Sequence, residues 1–213
     1  MTDSPWAKVA CYGRKANNRV IREAMRLSLK LLAVLVAGTM LGLLATWLAV
    51  FRFPPGRISD GPWQANPEAA SAQTDAYRRA IAAAHGPSAM NRAEAVYYTA
   101  TTDTEGRALT GRCRYKVEGP APDARWWSIT AYGPDDYLIA NPTGRYSVTK
   151  QQVAPDARGN IAVLVGGTSG GSNLIPVGTG RFSLSLRLYS PGPEIVADPA
   201  TGALPALLRM ACP

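Results

Sequence analysis

The sequence predicts a mainly β protein: an antiparallel β-sandwich or jelly-roll-like domain with a short N-terminal helix, preceded by one transmembrane helix. Three observations carry that expectation. Leu31 to Phe51 is an uninterrupted apolar run of 21 residues without a charge. Phe182, Leu184, Leu186 and Leu188 alternate with Arg181, Ser183, Ser185 and Arg187, the period of a strand with one buried face. Other short β-branched and aromatic runs are separated by Gly, Pro and Asp turns, as in an antiparallel sandwich.

The apolar run, at about 1.5 Å per residue, makes a helix about 31 Å long, enough to cross a bilayer core of roughly 30 Å. Residues 1–30 hold seven Lys/Arg against two acidic residues, and the remaining chain holds 16 against 13. Most of the net charge of +8 therefore lies just before the span. This pattern predicts a basic cytoplasmic tail (1–30), a transmembrane helix (31–51) and a C-terminal part across a bacterial inner membrane, in the periplasm. It argues against nucleic acid as the partner, because the basic excess is not on the folded part. A cleaved leader has a shorter apolar core and a small-x-small site. This run ends Trp47-Leu48-Ala49-Val50-Phe51-Arg52, so it reads as an anchor.

Lys15, Arg19, Arg22, Arg26 and Lys30 are spaced 4, 3, 4 and 4 and fall on one helical face. They read as a topology signal, with contact to anionic lipid headgroups as the functional alternative. Gly38 and Gly42 form a small-xxx-small pair inside the span, which allows a weak homodimer by close helix packing.

Pro54-Pro55-Gly56 stops the helix, and residues 52–70 read as a linker. Residues 71–213 read as the periplasmic β-domain. A helix is expected over 71–85, where alanines recur around Tyr77 and Ile81 before Gly86-Pro87. Ala95–Thr102 and Leu109–Val117 read as a hairpin around Asp103-Thr104-Glu105-Gly106. Strands follow at Trp126–Tyr132, Ile161–Val165 and Arg181–Tyr189.

Three cysteines are present. Cys11 falls on the reducing side, whereas Cys113 and Cys212 share the oxidising compartment and are expected to form a disulfide. A loop of about 100 residues closed this way stabilises by up to about 4.7 kcal/mol in the chain-entropy model.

No catalytic constellation is found. The single histidine, His85, lies at a helix stop and excludes multi-histidine metal sites; no cofactor is expected. Asp135-Asp136 reads as turn chemistry. The run from Gly166 to Ser172 lacks the Lys-Ser/Thr of a phosphate loop and reads as a connector. The most site-like group is Trp127, Tyr132, Asn141, Arg145 and Tyr146, with Trp126 and Tyr137 nearby. Aromatic faces with an amide and a guanidinium suit a sugar ring or a carboxylate; core packing is the competing reading. Alternation puts Trp126 and Trp127 on opposite faces of their strand.

Three blocks carry a family resemblance: Arg125 to Tyr132 (RWWSITAY); Asn141-Pro142 with Arg145-Tyr146-Ser147; and Phe182 to Tyr189 (FSLSLRLY). In this order they resemble the characteristic strands of the domain-of-unknown-function 1214 family, over roughly residues 90–213. Where typical members read Trp-Leu-Pro, this chain reads Leu174-Ile175-Pro176, so no role for that tryptophan carries over. The resemblance implies a jelly-roll-like domain of the short, membrane-anchored branch. It also implies a companion protein of the domain-of-unknown-function 1254 type, and supplies no reaction. The expected function is a non-enzymatic binding or interaction module acting with an envelope partner. The alternative is a small-molecule or carbohydrate-binding domain, a hydrolase included.

Overall fold

The computed structural model describes residues 5–52, 57–65, 76, 79–80, 83, 90–167 and 171–212, with side chains from residue 21 onward. The chain divides into two compact units, Met1–Phe53 and Pro54–Pro213.

The first unit is one helix, α1 (Pro5–Trp47), continued by a π-helical turn at Leu48–Arg52. Its 43 residues extend about 65 Å at 1.5 Å per residue. The stretch Ile21–Arg52 is long and apolar enough to cross a membrane, with a mean hydropathy of 2.2 over its most apolar 18 residues. Leucine and valine side chains from Leu31 to Leu44 are exposed all round, as expected of a surface that meets lipid rather than protein. Lys15, Arg19, Arg22, Arg26 and Lys30 all lie within α1. Trp47 and Phe51 pack with ring centroids 6.2 Å apart at the end of the apolar stretch, where aromatic rings suit a membrane interface.

The second unit is a two-sheet β structure. Its strands are β1 (Ile58–Asp60), β2 (Trp63–Ala65), β3 (Ala95–Ala100), β4 (Arg114–Pro120) and β5 (Ala124–Tyr132). They continue with β6 (Ser147–Thr149), β7 (Asn160–Val165), β8 (Leu174–Ile175), β9 (Ser183–Pro191) and β10 (Ala206–Ala211). A short helix, α2 (Pro193–Ala197), follows β9. The six-stranded sheet runs β1-β2-β3-β9-β5-β6 and the four-stranded sheet β10-β4-β7-β8. All pairings are antiparallel except β7 with β8. One apolar cluster draws on both sheets. It joins Tyr98, Trp127, Ile129, Leu184, Leu186 and Leu188 to Tyr115, Val117, Ile161, Val163 and Leu207. The alternation in β9 accounts for its share: the leucines are buried while Ser183, Ser185, Arg187 and Tyr189 face the other way.

Two expectations need correcting. Residues 95–102 and 109–117 do not form one hairpin. β3 gives one edge to β2 and the other to β9, so no edge remains for β4, which enters the second sheet. Only the root of the turn pairs, at Thr102 with Ala108. The stretch 52–70 is not all linker, because residues 58–65 hold the β1–β2 hairpin. Trp63 is buried there and its Nε1 donates to the Pro205 carbonyl at 2.7 Å, while Asp60 accepts from the Leu204 amide. The second sheet adds one parallel pair, β7 with β8, to its antiparallel pairings. Gly166 and Gly167, at φ of 95° and 78°, turn the chain after β7 so that β8 returns parallel to it. Of the helix expected over 71–85, positions 76, 79, 80 and 83 are helical, and the other positions, His85 among them, lie outside the described residues. So do residues 168–170 of the glycine-rich connector.

Gly111 marks the corner where the chain leaves the first sheet for the second. A Cβ there would stand 1.4 Å from the Gly178 carbonyl oxygen. The neighbour is backbone, so it cannot swing aside. Gly111→Ala is expected to destabilise the β unit by about 2–3 kcal/mol, the upper part of the overpacking range. Urea unfolding followed by far-UV circular dichroism checks this; an unchanged midpoint contradicts the close approach.

Candidate functional site

The outer face of the six-stranded sheet carries the densest set of polar and aromatic side chains. The register builds it. Ser128 on β5 stands opposite Arg187 on β9, which stands opposite Tyr97 on β3. One rung along, Trp126 is opposite Tyr189; one rung the other way, Thr130, Ser185 and Thr99 align. Because side chains alternate, the residues between these, Leu186, Leu188, Trp127 and Ile129, point into the core.

Arg187 is the centre of this face. Its guanidinium carbon lies 5.4 Å from the Tyr132 ring centroid and 6.0 Å from that of Tyr97. Nη1 donates to Thr130 Oγ1 at 3.4 Å, and Nη2 donates to the Tyr132 hydroxyl. Among the described residues, no carboxylate comes within ion-pair distance of it. This half-buried guanidinium therefore bonds only neutral hydroxyls and ring faces. Arginines in such settings are matched by carboxylate or phosphate, whose two oxygens fit the guanidinium fork.

The aromatic set continues along β9. Tyr189 meets Tyr97 edge to face at 6.1 Å and Trp126 at 5.4 Å. Trp126 Nε1 donates to Gln151 Oε1 at 2.8 Å, which fixes the indole plane. Arg125, Trp126, Tyr189 and Ser190 line an open groove of about 470 Å³. Burial first, then the hydrogen bond and charge of Tyr189, push the Tyr97 hydroxyl up to about 12 against the opposing pull of Arg187. Tyr97 thus stays protonated at neutral pH, and its hydroxyl contacts Met90 Sδ at 3.5 Å.

The residues singled out from sequence do not form one group. Trp127 is 1% exposed and belongs to the core, on the opposite side of β5 from Trp126. Tyr132 lies on the outer face, held by Arg187. Asn141 is consumed by its own loop: Nδ2 donates to the Ile139 and Arg145 carbonyls, and Oδ1 accepts from Thr143 and the Arg145 amide. Arg145 Nη1 donates to the Gly171 carbonyl at 2.6 Å, tying this loop to the connector before β8. Tyr146 is half-buried, and its carbonyl accepts from the Ala131 amide. Asp135 accepts from the Tyr137 amide within its turn, and Asp136 sits at φ 63°, so turn geometry accounts for both. Among the described residues, no group of three His, Cys, Asp or Glu is placed to hold a metal. Arg187, Tyr97 and Tyr189 escaped the sequence reading; the available signal was an arginine at the centre of the polar side of β9.

The expected Cys113–Cys212 disulfide is present, joining positions 99 apart. It ties the residue before β4 to the residue after its neighbour β10.

Comparison with known proteins fits this picture. Residues 94–193 match the family described as "Protein of unknown function (DUF1214)". No curated protein matches the chain. Among solved structures, the VPA0106 protein from Vibrio parahaemolyticus is similar over 65% of this chain, at a TM-score of 0.55 and 22% identity. The matched part is 36% of that protein, so this chain spans about a third of its length. A putative uncharacterized protein from Burkholderia cenocepacia aligns over 78% of this chain and 38% of its own, at a TM-score of 0.41 and 15% identity. The stretch matched to the family contains Tyr97, Trp126, Tyr132, Arg187 and Tyr189.

Proposed function

We propose that this chain is a membrane-tethered binding module, anchored in a bacterial inner membrane by α1 with its DUF1214 domain in the periplasm, and that it binds rather than transforms its target. The observation that carries this reading is the Arg187 face. A guanidinium framed by rings and hydroxyls, with no carboxylate beside it among the described residues, offers recognition chemistry rather than a general acid or base. The basic excess before the span supports the orientation. The disulfide suits an oxidising compartment. Lys15, Arg19, Arg22, Arg26 and Lys30 would meet anionic headgroups on the cytoplasmic side.

The module works beside an envelope partner, a companion protein of the DUF1254 type, as the family resemblance implies. Crosslinking the full-length protein in its native membrane, followed by affinity capture and mass spectrometry, should recover that companion. Recovery of the chain alone would overturn the partner. An alkaline phosphatase fused to the C-terminus should be active, and an inactive fusion would overturn the orientation.

Gly38 and Gly42 lie one helical turn apart, and a Cβ on either would meet nothing within 4 Å, so this stripe is open to a second helix. Replacing both with Ile is expected to abolish a weak homodimer in a membrane two-hybrid assay; unchanged association would remove the dimer.

A further inference from the structure

We propose that the outer face of the six-stranded sheet binds a carboxylate-bearing sugar, the carboxylate seated on Arg187 and the ring lying against Trp126 and Tyr189. This deepens the binding-module reading and rests on it.

The charge comes first. A guanidinium offers five N–H donors. The structure commits one nitrogen to Thr130 at 3.4 Å and another to Tyr132, which leaves three donors for a ligand. Two tyrosine rings lie 5.4 and 6.0 Å from the half-buried guanidinium, so its charge is less screened than on an open surface. No protein carboxylate answers it among the described residues. A planar two-oxygen anion supplies both the missing charge and the matching fork.

The ring site comes second. Tyr189 is two residues along β9 from Arg187 on the same face, about 7 Å away at 3.4 Å per residue. That separation is on the order of one sugar ring with its exocyclic carboxylate. Trp126 packs on Tyr189, and both line the open groove of about 470 Å³ with Arg125. The C–H face of a pyranose is weakly positive and complements the negative face of an aromatic ring. A simple anion would use Arg187 and leave the aromatic groove empty. A neutral sugar would use the groove and leave the arginine unanswered. Only a ligand with both parts uses the whole face.

The test uses full-length protein in nanodiscs of zwitterionic lipid, which keeps the basic part of α1 from competing. Tryptophan fluorescence and saturation-transfer NMR would follow titration with a galacturonate trisaccharide. Maltotriose serves as the ring-only control and acetate as the carboxylate-only control. The galacturonate trisaccharide is expected to bind at least about tenfold tighter than either control. Arg187→Lys, which keeps the charge but loses the fork, should weaken it about fivefold or more. Trp126→Ala should do so independently, with both variants retaining the wild-type circular dichroism spectrum. If either variant loses that spectrum, Tyr189→Ser replaces it as the test of the same face. Equal affinity for acetate and the trisaccharide, no binding of the trisaccharide, or binding indifferent to these substitutions would each overturn the proposal. Those outcomes leave the companion capture and the phosphatase fusion untouched, so failure of the ligand class is separable from failure of the membrane-tethered reading.

Discussion

Replacing Cys113 and Cys212 together with alanine is expected to destabilise the β unit by about 4 kcal/mol, within the range for a native disulfide closing a loop of this size. For a unit of this length that corresponds to a fall of roughly 8–16 °C in Tm. The bond spans 99 positions, so its loss frees a large part of the unfolded chain. It also acts where the fold has few alternatives. β10 is an edge strand, paired only with β4 in its sheet. Its other ties run to loops and side chains: Thr104 and Leu207 exchange hydrogen bonds, Arg209 reaches Asp103 and the Ala108 carbonyl, and the Pro205 carbonyl just before the strand accepts from Trp63. Loss of the bridge should therefore loosen β10 first and expose Trp63. Thermal unfolding in detergent, with and without reductant, checks this; an unchanged Tm would contradict the role given to the bridge.

Asp103→Ala is expected to cost about 3 kcal/mol, because it removes the acceptor of two backbone amides and the ion-pair partner of a mostly buried arginine. The Asp103 side chain is 1% exposed. Oδ1 accepts from the Glu105 and Arg107 amides at 3.1 and 2.9 Å, and Oδ2 from Arg107 Nε at 2.9 Å. Arg209 Nε lies 3.1 Å from Oδ2, an ion-pair contact without the alignment of a hydrogen bond. Arg209 is otherwise held by the Ala108 carbonyl and the Tyr115 ring. Asp103 thus fastens the turn between β3 and β4 to β10. Burial alone would raise its pKa. The Arg107 amide, the Arg107 guanidinium and the Arg209 charge together outweigh burial and hold the carboxyl below its ordinary value. The sign follows from that depression. Ionised Asp103 stabilises the fold fully above the unfolded carboxylate pKa of about 3.9, and the contribution disappears as pH falls through the lower folded value. Unfolding free energy measured from pH 6 to pH 2 should fall with acid in the wild type. It should fall less steeply in Asp103→Asn; equal slopes would contradict the assignment.

Some of this architecture was legible in the residues and some was not, for physical reasons. β9 announced itself because leucine at every second position has one meaning, a strand with one face buried. The apolar helix was equally plain, since 21 residues without a charge have few soluble uses. The disulfide followed from compartment logic. Strand partners did not follow, because pairing is non-local: nothing in residues 95–117 records that β9 would claim the free edge of β3. The β1–β2 hairpin was hidden because three-residue strands carry no period, although Trp63 between turn residues hinted at a buried anchor.

The candidate site was half visible. Tyr132 and Trp126 belong to it, whereas Asn141 spends its amide on its own loop and Trp127 fills the core. Residue type alone cannot separate an amide that recognises a ligand from one that builds a turn. Arg187 was overlooked for the converse reason. A charged residue on the polar side of an alternating strand normally marks solvent, and only the register and the side-chain geometry reveal two aromatic rings against it and, among the described residues, no carboxylate beside it.

The central claim is that the Arg187 face is occupied when the protein works. Hydroxyl-radical footprinting tests it most directly, comparing full-length protein in its native membrane with the same protein purified into detergent. Tyr137, 75% exposed, serves as the internal reference. The account predicts that Trp126, Tyr132 and Tyr189 are modified several-fold less in the native membrane while Tyr137 is modified equally in both. Equal modification of all four residues in the two preparations would contradict it.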